Sequence, residues 1–364
     1  MSVPLQNESA SILVRPSRLR RVLPSTGFMR FLARRFVAMI LLLWGITLVT
    51  WCLTNLVPAD PAMVALGPQA SGDPALVQIY RHKYGLDRPL PVQYGIYMKH
   101  LLEGDLGTSH FSDRPVITDL KQYVPATAEL AFYACLFGFT VGIALGTWAA
   151  LRRESLSDHV LRIISLAGLS APGFWLALVA LYFFFFKWGL APGGGRLSPG
   201  ADVPPHTTGA YTLDALIHFK WGTFWDALRH LMLPVLVLGL VVVGYVTRYT
   251  RSAVLEVASE DYIRAARAKG LPEHTVIIRY ILRAAAPTVI TVLGLAFAYI
   301  LAGSVFIEAV YTFSGLGLYA FKASTTLDLP AITGCCLFIA AVYIVVNFVI
   351  DVLYGLIDPR IRLT

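Results

Sequence analysis

Side chains able to do chemistry are scarce in this chain, and the densest set lies in one polar stretch, Glu256 to Pro287, between two apolar runs. Its centre reads Ser259-Glu260-Asp261-Tyr262-Ile263-Arg264-Ala265-Ala266-Arg267-Ala268-Lys269-Gly270-Leu271-Pro272. No nucleophile–base pair occurs in it, so the chemistry on offer is electrostatic recognition on a stiff frame. Glu260 and Asp261 lead and Arg264, Arg267 and Lys269 follow, the order a helix dipole favours. The alanines Ala265, Ala266 and Ala268 are the best helix formers. Gly270 stands where a C-terminal cap belongs. Pro272, with Glu273 beside it, suits the first turn of a second helix. The spacing therefore predicts two helices with a glycine joint. On a helical wheel Glu260, Arg264 and Arg267 share one side, and Tyr262 and Ala266 take the other. Such a two-faced knob is built to fit into a partner; the plainer reading is a solvated connector.

Other catalytic patterns are missing. The chain has no GxxxxGK[ST] loop, so it should not hydrolyse ATP itself, and no HExxH, CxxC or GxSxG. His206, His218 and His230 fall in or near one polar loop, at a spacing that matches no metal site, and solvated histidines are the reading adopted. Cys52, Cys135, Cys335 and Cys336 all lie in apolar runs and imply no disulfide framework. No catalytic residue, metal or resident cofactor is expected.

The elements that carry these residues are membrane spans. The chain is 56% hydrophobic and only 14% charged, against about 25% charged in ordinary soluble domains. Apolar runs at Phe36–Leu56, Thr127–Leu151, Ile163–Trp188, Leu231–Thr247, Pro287–Ile307 and Cys335–Leu356 predict an all-α polytopic fold of six transmembrane helices, several of them close to the ~20 residues a bilayer crossing needs. Polar loops follow spans 1, 3 and 5. Pro172-Gly173 predicts a kink in the third span. Residues 1–28 read as a basic disordered tail, with Met29 as an alternative start. Residues 29–125 form the first span plus an outer segment, 126–358 the core, and 359–364 a terminal tail.

Basic residues flank the spans unevenly. Arg30, Arg34, Arg35, Arg152, Arg153, Arg162, Arg248, Arg251, Arg264, Arg267, Lys269, Arg360 and Arg362 gather on one side, which the positive-inside rule makes cytoplasmic together with both termini. Most of the net charge of +8 is this asymmetry, and nucleic acid is not expected as a partner. Lipid is. Ionisable groups in the spans are functional candidates by default. Asn347 and Asp351 share a face of the sixth span, and helix packing or snorkelling competes with a pathway role. Glu129 and Glu308 flank outer span ends, as a cavity mouth or as interfacial residues. Gly138, Gly142 and Gly146 recur every four residues and let a helix approach closely; helix packing is the reading preferred over a moving part. Secondary transporters bury more coupling charge near the midplane than this.

The polar stretch resembles the EAA loop of bacterial ABC-importer permeases, in the version of the dipeptide/oligopeptide/nickel group. Ala265, Ala266 and Gly270 match its pattern. Arg264 replaces the usual Glu, and Tyr280 and Arg283 replace Ile and Pro, with Pro287 supplying a later proline. Gly85-Leu86-Asp87-Arg88-Pro89-Leu90-Pro91, Gly104-Asp105-Leu106-Gly107, Arg114-Pro115-Val116, Pro125-Ala126-Thr127, Ser314-Gly315-Leu316-Gly317 and Leu353-Tyr354 to Arg362 are similar to further segments of these permeases, in the same order. The resemblance covers nearly everything from Met29 onward.

It implies the type I permease fold and half of a pore in a bacterial inner membrane. A homologous second permease subunit would complete the pore. Two cytoplasmic ATPase subunits, which use ATP and Mg, would grip the knob through Glu260, Asp261, Tyr262, Arg264, Ala265, Ala266, Arg267, Lys269, Gly270 and Pro272. A periplasmic binding protein would deliver peptide. Nickel, glutathione or an opine-like conjugate are alternative cargoes, and a stand-alone ion-coupled carrier is the rival of another class.

Overall fold

The computed structural model describes residues 26–56, 61–66 and 73–357. Its helices are α1 (Thr26–Leu56), α2 (Pro61–Leu66), α3 (Pro74–Tyr84), α4 (Leu90–Leu102), α5 (Val116–Leu151), α6 (Leu156–Ser170), α7 (Gly173–Ala180), α8 (Tyr211–Ile217), α9 (Trp221–Ala258), α10 (Asp261–Ala268), α11 (Glu273–Thr275), α12 (Arg283–Val310), α13 (Leu316–Thr325) and α14 (Leu329–Ile357). Among the described residues there is no strand, only an isolated bridge between Thr108 and Pro115. Nearly all of the basic tail and the whole terminal tail read from the sequence lie outside the described residues.

Among the described residues five helices, within α1, α5, α9, the α11–α12 run and α14, are long and apolar enough to cross a membrane. The third run does not form the continuous span expected at Ile163–Trp188. α6 stops at Ser170, and Pro172 sits at φ −61, ψ 132 before α7 begins. Proline has no N–H to carry the ladder onward, so the expected kink is a full break. Beyond it, Gly173–Lys187 is a shorter apolar helix whose second half is a π-turn over Leu181–Lys187.

Two helices also exceed their sequence bounds. α5 starts at Val116, ahead of Thr127, and runs through Pro125; α9 spans Trp221–Ala258 instead of Leu231–Thr247, and runs through Pro234. Their 36 and 38 residues give lengths near 55 Å at ~1.5 Å per residue, well beyond a ~30 Å hydrocarbon layer. Both therefore project into water, where their charged turns lie. Hydropathy stops at the first charge; the helix does not.

α5 and α9 form the spine. Lipid tails are as apolar as leucine, so burial alone does not drive two spans together, and small residues that allow close approach do. Gly138, Gly142 and Gly146 are all buried on α5. A Cβ on Gly138 would lie 2.6 Å from Val242, one on Gly142 2.7 Å from Val246, and one on Gly146 2.7 Å from the Thr247 carbonyl. The exchange is mutual, since Gly239 of α9 receives the Phe137 ring. α7 and α12 complete this core through Ala177, Ala296, Ile300 and Ile307. A second cluster, Ala150, Ala253, Val254, Ile263, Ala266, Val276, Ile281 and Ala285, closes one end. A third, with Val116, Leu120, Tyr319 and Ala331, closes the other. α1 lies outside, packed on α14 by Phe36 against Phe348 and by Arg35 on Asp351.

Gly142→Leu is expected to force α5 and α9 apart and lower the detergent-solubilised melting temperature, with a cost of about 1–3 kcal/mol, as for overpacked cores. Gly45→Ala in α1, where a Cβ meets nothing within 4 Å, should leave it unchanged. Equal melting of the two variants would show that the glycine stripe is not a packing surface.

Candidate functional site

The polar stretch folds as a knob between α9 and α12. Glu260 caps α10 with extended backbone, and its side chain makes no capping bond. Asp261 occupies the first turn and pairs with Arg264. At the far end the Gly270 N–H donates to the Arg267 carbonyl at 2.9 Å, and the Leu271 N–H to the Ala266 carbonyl at 3.4 Å. This closure needs the left-handed backbone that Gly270 adopts at φ +75. Pro272 then precedes α11, and its carbonyl accepts from Thr275 N at 2.9 Å. Arg267 spans the joint to Glu273 at 2.7 Å. This hydrogen-bonded pairing with Arg267 holds the Glu273 carboxyl below its usual range.

An eight-residue helix is not stable in water alone, so α10 depends on its underside. Ile263 is fully buried and Ala266 nearly so, against Val254, Val276 and Ile281. This corrects the wheel, which grouped Tyr262 with Ala266. Tyr262 is 46% exposed, and the anchor beside Ala266 is Ile263. The i, i+3 apolar spacing of Ile263 and Ala266 was the available signal. Arg264, Ala265, Arg267, Lys269, Gly270 and Pro272 all face solvent. The exposed surface is thus a face of paired charges, Asp261 with Arg264 and Arg267 with Glu273, beside Lys269 and one aromatic ring, mounted on a buried two-residue foot.

Glu129 and Glu308 are held differently. Glu129 accepts from Arg196 Nη2 at 2.8 Å, from Thr212 N at 2.7 Å and from Thr212 Oγ1 at 2.5 Å. The Arg196 guanidinium lies 3.5 Å over the Tyr211 ring. Glu308, 0% exposed, accepts from Thr127 Oγ1 at 2.7 Å and Leu318 N at 3.1 Å. A Cβ on Gly315 would sit 2.5 Å from its Oε2, and one on Gly317 2.9 Å. The Ser314-Gly315-Leu316-Gly317 bend is therefore a wrap around this carboxylate. Both acids tie loops to spans. Asp351 pairs with Arg35 at 3.2 Å, and Asn347 Nδ2 donates to the Tyr343 carbonyl, so these two belong to helix contacts.

Several buried acids escaped the sequence reading because they lie outside the apolar runs. Asp328 caps α14 and accepts from Ser109 Oγ at 2.6 Å and Phe111 N at 3.2 Å. Asp119 takes Arg114, Ser112 and Tyr319. Burial alone would raise the Asp214 carboxyl, but bonds from Thr208, Gly209 and Thr207 hold it below the usual range. His230 bonds the Gly194 carbonyl at 2.9 Å, and His218 the Asp214 carbonyl at 2.9 Å. Among the described residues no three His, Cys, Asp or Glu side chains gather as a metal site.

Comparison with known proteins places these features in a lineage. The family described as binding-protein-dependent transport system inner membrane component matches residues 142–363, and its N-terminal companion matches residues 28–131. The chain is 43% identical to the probable D,D-dipeptide transport system permease protein DdpB of Escherichia coli (strain K12), over 92% of this chain and 98% of that one. It is 42% identical to the di/tripeptide transport system permease protein DppB of Pseudomonas aeruginosa (strain UCBPP-PA14), over 91% and 98%. A structure of the MetNI methionine ABC transporter in inward-facing conformations aligns over 66% of this chain and 96% of that one, at 16% identity and a TM-score of 0.47.

Ile263→Ala removes the foot of α10 at a cost of about 2–5 kcal/mol, typical of a large-to-small core change. Amide exchange across residues 261–268 should accelerate, while α5 and α9 keep their protection. Unchanged exchange there would mean that the knob stands without its foot.

Proposed function

We propose, the chain being a member of the binding-protein-dependent transport system inner membrane component family, that it is the pore-forming subunit of an ATP-driven importer of short peptides. The observation that carries this reading is the knob: a face of paired charges on a buried foot, closed at Gly270 and placed between two long spans. The names of its relatives point to di- and tripeptides as cargo.

The knob faces the cytoplasm in this reading, as do both termini, and the short apolar helix Gly173–Lys187 completes six crossings. Two ATPase subunits, which consume the ATP and Mg, hold one knob each. A homologous permease lies alongside, and a periplasmic binding protein docks on the loops that Glu129 and Glu308 tie down. Closure of the ATPase pair pushes α10. Because α10 is short, capped and seated on Val254, Val276 and Ile281, the push passes into α9 and α12 and shifts the balance between inward- and outward-facing packings.

Gly270→Pro should abolish peptide uptake at normal membrane levels. Proline fixes φ near −65°, whereas Gly270 holds +75 and donates its N–H. Uptake at the wild-type rate would defeat the lever. Reversal of Arg264 and Arg267 to Glu should reduce the ATPase recovered when the chain is affinity-purified in mild detergent, and undiminished recovery would remove these arginines from the contact. Peptide accumulation by the purified chain alone, driven by an ion gradient, would replace the whole reading with that of a self-contained carrier.

A further inference from the structure

One buried ion pair lies outside everything assigned so far. Asp158, in the first turn of α6, is 0% exposed. Arg251 of α9 reaches it with both prongs, Nε to Oδ1 at 2.6 Å and Nη2 to Oδ2 at 2.7 Å. The Glu154 N–H donates to the same Oδ2 at 3.1 Å, and Arg162 Nη2 stands 3.6 Å away while bonding His159 at 2.7 Å. The bond from Arg251, ahead of the other contacts, holds the Asp158 carboxyl below the usual range. The pair is therefore charged at neutral pH and is lost only as pH falls through that depressed value. A carboxylate so enclosed is costly unless its partner is fixed, and a two-pronged arginine contact fixes rotation as well as distance.

Its position gives it a use. Arg251 sits in the last turns of α9, just ahead of the knob. α6 meets α9 again at Gly244, where a Cβ would lie 3.0 Å from the Ser165 carbonyl. The outer side of α6, with Leu156, Ile163 and Ile164, is open. α6 is thus held mainly from one side, by the helix that carries the knob. α7, beyond the break at Pro172, packs on both α9 and α12, and Tyr311, just past α12, donates to the Ala177 carbonyl at 3.1 Å. Between them Gly173 is nearly free, since a Cβ there would meet only the Tyr299 hydroxyl, at 3.9 Å.

We propose that Asp158 and Arg251 are positioning residues that pin α6 to the driven end of α9, making α6 a second arm that follows the knob. This rests on the reading of the chain as an importer subunit. The knob then moves the inner half of the broken span together with α9.

The test uses the assembled complex with its ATPases and binding protein, reconstituted in vesicles with a labelled dipeptide. Asp158→Asn, Asp158→Glu and the exchange Asp158→Arg with Arg251→Asp are compared for peptide moved per ATP hydrolysed, and for the dependence of hydrolysis on binding protein. For Asp158→Asn the transport ratio should fall roughly 5- to 150-fold, the range of an allosteric coupling, with hydrolysis released from its dependence on binding protein. The exchange should restore much of the ratio, and Asp158→Glu should fall between. Parallel loss of uptake and hydrolysis at an unchanged ratio would make the pair merely structural and overturn the proposal. So would a set of variants none of which assembles uncoupled. If the wild-type complex moves dipeptide on ATP and Asp158→Asn matches it, the pin alone fails. If the wild-type complex moves none, the importer reading fails and the pin with it.

Discussion

The structure depends on how closely α5 and α9 can approach. Within lipid the hydrophobic effect does not distinguish a helix from the acyl chains around it, so two spans adhere through contact geometry. Gly138, Gly142 and Gly146 open a groove that Val242, Val246 and Thr247 fill, and Gly239 returns the favour to Phe137. With that spine set, the remaining helices have fixed faces to join. α7 and α12 pack on one side through Ala177, Ala296 and Ile300, and α6 leans on α9. α1, which touches chiefly α14, is the least committed span, and its apolar residues Leu41, Leu42 and Val49 are mostly exposed.

Polar groups take over where the lipid ends. Each buried acid has at least one positive or hydrogen-bonding partner on another element, as burial of a charge requires. Glu129 binds Arg196 and Thr212 from the segment between α7 and α9, Glu308 binds the bend after α12, and Asp328 binds the segment ahead of α5. Such contacts set the paths of loops that have no apolar core of their own. At the opposite end the knob is seated by apolar contacts of Ile263 and Ala266, and α6 by the fork on Asp158.

The all-helical membrane character, the knob with its glycine joint and the glycine stripe were legible in the sequence, because periodicity, Gly270 and the spacing of Gly138, Gly142 and Gly146 are local signals. Helix ends were not. Hydropathy marks where a helix leaves lipid, whereas α5 and α9 continue into water on turns bearing Asp119, Lys121, Asp226 and Arg251. The break at Pro172 was visible only as a kink, since whether a proline bends or ends a helix depends on the neighbours available to the freed carbonyls. Glu129 and Glu308 were singled out, but their partners, Arg196 and the Gly315–Gly317 bend, are set by tertiary placement. Asp158 stood in what read as a plain polar loop, and nothing near it in sequence announces Arg251.

The uneven distribution of these anchors gives the molecule a gradient of compliance. The end built from Asp119, Glu129, Asp214, Glu308 and Asp328 is cross-braced by many short directional bonds, each intolerant of displacement. The end that carries α10 relies on aliphatic contact, the fork on Asp158 and exposed pairs such as Arg267 with Glu273, which yield more readily. Thermal motion should therefore collect at the knob end, while the braced end keeps one shape and can serve as a template for whatever lands on it.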